Sequence, residues 1–399
     1  MLIAPGVQGQ RVAVTGIGVA GPGGVGAEAF WAGLHSAPRE GYDRRVEGFD
    51  ASHLYDDKQL GRVDRFSQLV MHAAIEALEQ AGELRVDPDR VGTMVGTGVG
   101  GLITLEEQII RGHVKGLKRV SPFLVPSMMN NAGAANISMR FGFRGPCETV
   151  VTACAAGTHS VTNGARLVAS GRCDVVIAGS SEAPLSSTGV AAFTNMTAIT
   201  KSGWSRPFDA RRDGFVIAEG AGILVLEAWD HALARGATIL AEVLGGASTA
   251  DAHHITAPAP GGSGALTCMQ WALEDAGLEP SGVRHVNAHG TSTTLNDAAE
   301  AEALAKLFGI PGSPGPPVTS TKGITGHALG AAGSMEAVIG VMTIGKKSIP
   351  PTVGTDAVDP ELAQIDLVLG EARAWQPGPL LSNSFGFGGH NGTLVLGPA

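Results

Sequence analysis

The stretch VTACAAGTHS, from Val151 to Ser160, places one cysteine where a β-branched run gives way to small residues. β-Branched residues favour a strand, and the Ala and Gly residues after Cys154 leave open space around the sulphur at the start of a helix. A helix N-terminus offers unpaired N–H groups and a partial positive charge, which favour a thiolate. Cys154 is thus either a packed small side chain or a nucleophile, and the residues alone favour neither.

Strand-like and helix-like segments alternate on both sides of this stretch. Apolar and β-branched patterns predict strands over residues 11–19, 91–100, 173–183, 221–229, 239–248, 284–290, 317–323 and 380–389. Helical spacing predicts helices over residues 64–82, 159–171, 264–277, 296–309 and 333–345. This alternation is typical of an α/β protein with sheets buried under helices. Both halves place reactive residues after strands, which predicts an internal duplication, although no residue-level repeat is visible.

Composition restricts the kind of protein. The chain has 399 residues, 44% of them hydrophobic and 16% charged, which is enough for one large or two medium domains. A net charge of -9 without a dense Lys/Arg cluster argues against a nucleic-acid partner. Four cysteines with no metal spacing fit a reducing compartment, and neither a signal peptide nor a membrane-spanning run is evident. We expect a cytoplasmic protein.

Two histidines lie in small, polar, Gly-rich settings that suit chemistry. His289 is in NAHGTSTTLND, and His327 is in STKGITGHALGAAGS, five residues after Lys322. A lone histidine is more often structural, but two at strand-to-turn junctions are harder to explain in that way. A lysine close to His327 would lower the pKa of the imidazole and keep it neutral, as a hydrogen-bond donor must be at pH 7.

The closing motif NSFGFGGHNG is a Gly-rich turn with two aromatic residues. Such turns can direct backbone N–H groups at an oxyanion. Phosphate or nucleotide binding is the rival interpretation. The chain has no G-x-x-x-x-G-K-[ST] motif, and GTGVGG lacks the full dinucleotide fingerprint with its ribose-binding acid. A nucleotide cofactor is therefore not expected.

Together and in this order, these motifs resemble those of the β-ketoacyl-[acyl-carrier-protein] synthases, most closely the synthase II group. SRPFDARRDGFVIAEGAG and DAHHITAPAP also match, and the resemblance runs from about residue 11 to the C-terminus. It implies a thiolase-like α/β fold of duplicated halves in a five-layer α-β-α-β-α arrangement. Residues 1–240 would carry the nucleophilic cysteine and residues 241–399 the histidine pair, together forming one ketosynthase domain of about residues 11–399.

The resemblance also implies roles for individual residues. The nucleophile falls on Cys154, the two active-site histidines on His289 and His327, and the active-site lysine on Lys322. Glu336, on the following helix, would pair with that lysine.

Further roles implied by the resemblance concern the substrate. Thr291 and Thr293 would hydrogen-bond the pantetheine arm, and Phe193 would line the acyl pocket. Phe387 would act as a gate, accompanied by Phe385, and its backbone N–H would share the oxyanion hole with the N–H of the nucleophilic cysteine. No metal is expected.

The implied reaction is a decarboxylative Claisen condensation. Malonyl-acyl carrier protein would react with an acyl chain held on Cys154, so that the chain grows by two carbons. The expected partners are the acyl carrier protein, whose phosphopantetheine carries the substrates, and a second copy of the chain in a homodimer. No organic cofactor is expected. The alternative is a ketosynthase subunit of a type II polyketide or specialised lipid pathway, in a heterodimer with a chain-length factor.

Three other members of the superfamily fit less well. A degradative thiolase needs a second cysteine in the final Gly-rich turn, where this chain has Phe387. An initiating synthase would use Cys-His-Asn, and a non-catalytic chain-length subunit would lack the nucleophile.

The chain departs from the family pattern at several positions. Gly323 replaces the usual Ser after the motif lysine, His390 replaces the commoner Thr, and TTLND replaces the commoner TPxGD. Thr197 stands where some synthases II have a basic residue that helps to dock the carrier protein. Other basic residues that can dock an acidic carrier lie in DKQLGRVDRF, namely Lys58, Arg62 and Arg65.

Overall fold

The computed structural model describes residues 9–309 and 315–399, so the first eight residues of the expected N-terminal half lie outside the described residues. The strands are β1 Val12–Gly21, β2 Gly24–Val25, β3 Asp43–Arg44, β4 Val91–Gly96, β5 Cys147–Glu148, β6 Val175–Glu182, β7 Ile217–Ala218, β8 Gly220–Ala228, β9 Ala241–Ala250, β10 His285–Asn287, β11 Pro317–Thr319, β12 Ser348–Ile349, β13 Asp366–Leu367, β14 Arg373–Ala374, β15 Leu380–Gly386 and β16 His390–Gly397.

The α-helices are α1 Ala27–Gly33, α2 Asp57–Leu60, α3 Arg65–Ala81, α4 Leu102–Lys115, α5 Leu124–Met128, α6 Ala132–Phe141, α7 Ala156–Ala169, α8 Ser187–Asn195, α9 Trp229–Ala234, α10 Ser263–Ala276, α11 Thr294–Phe308, α12 Lys322–Thr325 and α13 Ala332–Lys346. Two 3₁₀ turns matter for the site. Ala153–Ala155 leads into α7, and Leu329–Ala331 leads into α13. Within the described ranges, no helix has both the length and the apolar character needed to cross a bilayer.

The main sheet consists of two groups of strands joined by antiparallel pairing of β1 with β9. The first group has the order β5-β4-β6-β8-β1, and the second has the order β11-β10-β15-β16-β9, with β13 added at its edge. When five strands of each group are numbered along the chain, leaving β13 aside, both orders read 3-2-4-5-1. This repetition confirms the predicted duplication, which was visible in the pattern of elements and not in the residues.

Helices form three layers around the two groups of strands. α7 and α13 lie between them, where Val161 and Val168 share an apolar core with Val338 and Ile339. α3 and α6 cover the outer face of the first group, and α10 and α11 cover that of the second. The arrangement is the predicted five-layer α-β-α-β-α fold, because each sheet face is apolar and has to be covered.

The first turns of the two central helices pack backbone against backbone. A Cβ on Gly157 would overlap the backbone nitrogen of Ser334, and a Cβ on Gly333 would lie 2.6 Å from that of Thr158. Only glycine allows this approach. The contact brings the N-termini of α7 and α13 together, and with them the two segments that carry Cys154 and His327.

Two predicted strands are shorter than expected. The strand predicted over residues 317–323 ends at Thr319, since α12 begins at Lys322. The strand before Cys154 is limited to Cys147–Glu148, although the Val150 carbonyl still accepts the Thr97 N–H. In both places the chain leaves the sheet early to form the turn that holds a reactive residue.

Candidate active site

Cys154 is buried in the 3₁₀ turn that leads into α7, as the strand–cysteine–helix pattern predicts. The residue before it, Ala153, has a φ of 48°, a left-handed conformation that is costly for alanine. The prediction of a thiolate is wrong. Burial raises the pKa of the thiol to about 12, and the positive charge of Lys322 and the N–H of Phe387 lower it only in part. The side chain is therefore a protonated thiol at rest.

His327 contacts this thiol directly. Its Nε2 lies 3.0 Å from Cys154 Sγ, and its backbone N–H donates to the Val216 carbonyl at 2.7 Å. The ring meets Phe215 edge to face at 5.1 Å between centroids. The pKa of His327 lies well below its usual value, mainly because of burial and secondly because of the charge of Lys322. The predicted neutral imidazole is confirmed, although burial contributes more than the lysine.

His289 follows β10 and faces the same space. The N–H groups of His289 and Gly290 donate to the carboxylate of Glu300 at 2.8 and 2.7 Å, which fixes the turn. Burial, followed by the charge of Lys322, lowers the pKa of His289 well below its usual value. One ligand atom each of Cys154, His289 and His327 lie within 4.8 Å of one another. Residues that are far apart in the sequence thus converge at one point.

Lys322 and Glu336 form a buried ion pair beside this point. Lys322 Nζ donates to Glu336 Oε1 and to the His289 carbonyl at 2.6 Å, and it lies 3.5 Å from His289 Nδ1. Burial raises the pKa of Glu336 to about 7, against the opposing effect of Lys322. The sequence suggested that Lys322 crowds His327. The ammonium group instead contacts His289 and reaches His327 through its charge.

A cavity of about 390 Å³ leads to the three converging side chains. We call it the tunnel, and the predicted substrate-binding residues Thr291, Thr293, Phe385 and Phe387 line it. The two threonine Oγ1 atoms are 2.9 Å apart. The backbone N–H groups of Phe387 and Cys154 both hydrogen-bond the sulphur. A tunnel with two threonine hydroxyls on its wall that ends at a thiol and two neutral imidazoles can admit a long, narrow arm with a reactive end.

Phe193, predicted to line the acyl pocket, does not line the tunnel. It lies in α8 and packs on Phe215, with ring centroids 5.9 Å apart. Both rings belong to an apolar cluster that includes the nucleophile candidate, whose buried members are Cys154, Leu185, Ile199, Phe215, Ile217 and Leu329. This apolar cluster surrounds the reactive end of the tunnel.

The departures from the family pattern have local structural consequences. A Cβ on Gly323 would overlap the Val353 carbonyl oxygen, so the backbone leaves no room for a serine there. His390 is half-buried at the start of β16 and lines a second cavity with His159 and Arg166. Thr197 has a φ of 59° and is an exposed residue of the tunnel wall.

The three basic residues of DKQLGRVDRF have different surroundings. Arg65 makes a bidentate pair with the buried Glu219, its Nη2 lying 2.6 Å from Oε1, so its charge is already engaged. Arg62 is exposed and stacks over the ring of Phe123 at 4.1 Å. Lys58 is exposed in α2. Two of the three basic residues thus remain accessible to a partner.

Three residues at the site were missed from the sequence. Glu300 holds the His289 turn, and Phe215 packs on His327. The third, Glu182, is fully buried at the end of β6 and accepts N–H groups of Gly98 and Gly330 at 2.6 and 3.0 Å. An acid closing an apolar strand is a signal for Glu182, and an acid on the inner face of a helix is one for Glu300. Phe215 gives no such signal.

Comparison with known proteins agrees with this geometry. The β-ketoacyl synthase N-terminal domain matches residues 9–232, and the C-terminal domain matches residues 240–356. The chain belongs to the β-ketoacyl synthase family. It is 41% identical to 3-oxoacyl-[acyl-carrier-protein] synthase 2 of Synechocystis sp., with 97% of this chain and 98% of that protein covered. It is 39% identical to the protein of the same name in Staphylococcus aureus, with 98% of each covered.

Solved structures of ketosynthases are similar over almost the whole chain. The ishigamide ketosynthase/chain length factor has a TM-score of 0.91 at 31% identity, with 98% of this chain and 100% of that chain covered. A β-ketoacyl synthase from Burkholderia phymatum has a TM-score of 0.89 at 32% identity, with the same coverage. These findings confirm the family and the thiolase-like fold predicted from the motifs, and with them the class of acyl-condensing transferases.

Proposed function

We propose that this β-ketoacyl synthase lengthens acyl chains on an acyl carrier protein by decarboxylative condensation with malonyl-carrier protein. The observation that carries the proposal is the convergence of Cys154, His289 and His327 within 4.8 Å at the inner end of the tunnel. Curated relatives of nearly equal length carry the name 3-oxoacyl-[acyl-carrier-protein] synthase 2. No organic cofactor has a role in this scheme.

The first half-reaction transfers the acyl chain to Cys154. Because the thiol is protonated at rest, its proton has to leave as the sulphur attacks the thioester carbonyl, and His327 Nε2 at 3.0 Å is placed to take it. The N–H groups of Cys154 and Phe387 stabilise the tetrahedral oxyanion. The carbon–sulphur bond to pantetheine then breaks, and the departing sulphur receives the proton from His327.

The second half-reaction uses both histidines as neutral donors. After the first half-reaction His327 carries its proton on Nδ1, so exchange with water first moves the proton to Nε2. Malonyl-pantetheine enters the tunnel, and His289 and His327 then donate hydrogen bonds to its thioester carbonyl. Carbon dioxide leaves with cleavage of the carbon–carbon bond, and the same donors stabilise the enolate. The enolate carbon attacks the acyl-Cys154 thioester and the sulphur is expelled as a thiolate, which takes a proton from solvent to restore the resting thiol. The product is two carbons longer. Burial lowers the pKa of His289 and keeps it neutral, and the charge of Lys322, which is held by Glu336, adds to this effect.

The assembly we propose is a homodimer. Large apolar side chains on and around α4 to α6 are exposed: Ile109, Ile110, Val114, Leu117, Val125, Met129 and Met139. All of them belong to the segment between β4 and β5, and β5 is an edge strand of the main sheet. A second copy of the chain would cover both. We assign residues 1–240 and 241–399 to the two halves of one ketosynthase domain of about residues 11–399.

The carrier protein is proposed to bind through basic residues near α2. Lys58 and Arg62 are exposed, and Lys118 and Arg119 are exposed in the segment just before Phe123, on which Arg62 stacks. Cations on a chain of net charge -9 would attract an acidic carrier. The structure of a type II polyketide ketosynthase with its acyl-carrier protein is similar to this chain, with a TM-score of 0.90. Such substrates, together with four free cysteines, support a cytoplasmic location.

The experiment that tests the proposal separates the two half-reactions. Purified protein is incubated with acyl-carrier proteins of graded length and malonyl-carrier protein, and product length and CO₂ are measured. We expect Cys154→Ala to abolish acyl transfer and elongation, and Cys154→Gln to release CO₂ without elongation. Cys147→Ser, which alters the exposed thiol, is the matched control and should elongate normally. Elongation by Cys154→Ala would refute the nucleophile, and loss of all CO₂ release in Cys154→Gln would refute the separate role of the histidines.

A polyketide or specialised lipid ketosynthase is the second candidate. It is favoured by solved neighbours that are ketosynthases in complex with a chain length factor. Those neighbours share 26 to 31% of their residues with this chain, against 39 to 41% for the fatty-acid type relatives. Reduced acyl chains elongated by the protein alone would support the first candidate. Activity that requires a second, different subunit would support the other.

A further inference from the structure

One polar side chain of the tunnel wall has no role in the proposed function. Asn296 lies in the first turn of α11 and lines the tunnel together with Thr291 and Thr293. Thr293 is the N-cap of α11, and its Oγ1 accepts the N–H of Asn296 at 3.3 Å. The same Oγ1 lies 2.9 Å from Thr291 Oγ1. The three residues thus adjoin one another on the tunnel wall, each with a polar side chain.

The carboxamide of Asn296 is held in a fixed orientation. Its Nδ2 donates to Asp297 Oδ1 at 3.1 Å, and the buried Asp297 is in turn held by the N–H of Phe208 at 2.8 Å. The remaining Nδ2 proton and Oδ1 have no hydrogen-bond partner in residues 9–309 and 315–399. A half-buried donor and acceptor on one planar group are complementary to a secondary amide. In the commoner TPxGD form of this motif the position is glycine, so this chain carries an additional polar group.

We infer that Asn296 binds the outer amide of the pantetheine arm and is a positioning residue for carrier-bound substrates. The inference rests on the proposed function. Pantetheine carries two secondary amides in series. Thr291 is buried and would serve the amide nearer the thioester, while Asn296 is half-buried, hence closer to solvent, and would serve the amide nearer the carrier protein. This chain would then recognise the length of the arm as well as its reactive end.

Two thioester substrates separate the inner amide from the outer one. Hexanoyl-N-acetylcysteamine has one amide, and hexanoyl-pantetheine has both. Transfer of the hexanoyl group to Cys154 is followed for wild type and Asn296→Ala. Because one neutral hydrogen bond is lost, we expect the KM for the pantetheine thioester to rise about three- to tenfold with kcat unchanged. The KM for the N-acetylcysteamine thioester should change by less than about twofold, since that substrate has no outer amide.

Matched variants make each outcome decisive. Glu302→Ala alters an exposed residue of the same helix and should change neither KM. Asn296→Gly, which restores the commoner motif residue, is the second variant in case Asn296→Ala does not fold, and it should behave in the same way. Equal effects on both thioesters, or none on either, would overturn the inference. If wild type acylates Cys154 from neither thioester, it is the proposed function that fails.

Discussion

The two halves of this protein contain the same strand–3₁₀ turn–helix motif, but the motif has a different role in each half. In each half, the third strand leads to a 3₁₀ turn that enters a central helix, α7 or α13. Each turn starts with a non-glycine residue in a left-handed conformation, Ala153 with a φ of 48° and Leu329 with a φ of 44°. In each, a glycine four residues later packs against the other helix. The residue that follows the strained position is Cys154 in the first half and Gly330 in the second.

In the second half, the 3₁₀ turn that enters α13 has its N–H group bound by a carboxylate and has no space beside it. The Gly330 N–H donates to Glu182 at 3.0 Å, and a Cβ on Gly330 would overlap the Gly98 backbone. The buried carboxylate of Glu182 also accepts the Gly98 N–H and the Thr97 hydroxyl. In the first half, the N–H groups at the equivalent place face the sulphur and the open tunnel. One helix end thus became a reactive site and the other a structural one, because a fixed anion fills the second.

The largest effect is expected for His289, a residue of the second half that acts on the substrate beside Cys154 of the first half. His289→Ala removes a donor to the enolate but leaves the thiol and its neighbour His327 in place. We expect malonyl decarboxylation to fall by roughly 10²- to 10³-fold, since one preorganised donor to the enolate oxygen is lost. Formation of acyl-Cys154, measured by mass spectrometry of the intact protein, should stay within about tenfold of wild type. If His289→Ala slowed acyl-Cys154 formation as much as decarboxylation, the assignment of His289 to the second half-reaction would be wrong.

The buried ion pair of the second half should dominate its stability. Glu336→Gln leaves the Lys322 ammonium buried without its carboxylate, which typically costs about 3–5 kcal/mol of unfolding free energy. Urea unfolding at pH 8 measures this, above the pKa of about 7 of Glu336. The control is Glu28→Gln, which breaks an exposed pair with Lys346 and should cost less than about 1 kcal/mol. Similar losses in both variants would show that burial does not set the strength of the pair.

The sequence predicted the duplication from the order of its elements and placed Cys154, His289 and His327 at strand-to-turn junctions, because these are local patterns. Their roles came from the resemblance to the family. The sequence did not predict the state of the thiol. The charge state of Cys154 depends on burial by residues such as Leu329 and Phe215, which come from distant parts of the chain. For the same reason the contact of Lys322 with His289 was missed. The sequence also did not predict that Glu182 binds the turn of the second half, because Glu182 and Gly330 come from different halves and are far apart in the chain.

The two halves also differ at the first residue of their second strand. Val91 begins β4, and His285 begins β10 at the equivalent register. Burial lowers the pKa of His285 to about 3, from 6.5. The histidine is neutral in the folded protein, and its contribution to stability is present above pH 6.5 and lost as the pH falls. Between pH 7 and pH 5, wild type should lose about 2 kcal/mol through this residue.

His285→Val makes the second half resemble the first at this point. Urea unfolding at pH 7, 6 and 5 should show a smaller acid-induced loss for the variant, by about 2 kcal/mol. His113→Val, the same change at an exposed site, should leave the pH dependence of wild type unchanged. Parallel pH profiles of His285→Val and wild type would mean that His285 is not the group that titrates.

The smallest expected effect tests whether the Glu182 carboxylate, which binds the 3₁₀ turn of the second half, changes the reactivity of Cys154 in the first half. Burial is the main cause of the raised pKa of the Cys154 thiol, and the negative charge of Glu182 raises it further. Glu182→Gln should therefore lower that pKa and speed alkylation of Cys154 by iodoacetamide, by about two- to fivefold at pH 8. Burial raises the pKa of Glu182 itself to about 7. At pH 6 the wild-type carboxyl is mostly protonated, so the difference between wild type and variant should largely disappear.

Free N-acetylcysteine added to the same sample provides the reference, because its alkylation should not respond to the substitution. Slower labelling of Cys154 in Glu182→Gln at pH 8 would mean that the lost hydrogen bonds to Gly98 and Gly330 had loosened the turn. The carboxylate would then act through structure and not through charge. Faster labelling that persists at pH 6 would also exclude the charge, because the wild-type group is neutral there. Only if the faster alkylation of Cys154 in Glu182→Gln appears as the pH rises from 6 to 8 does the reactivity of Cys154 depend on the negative charge of Glu182.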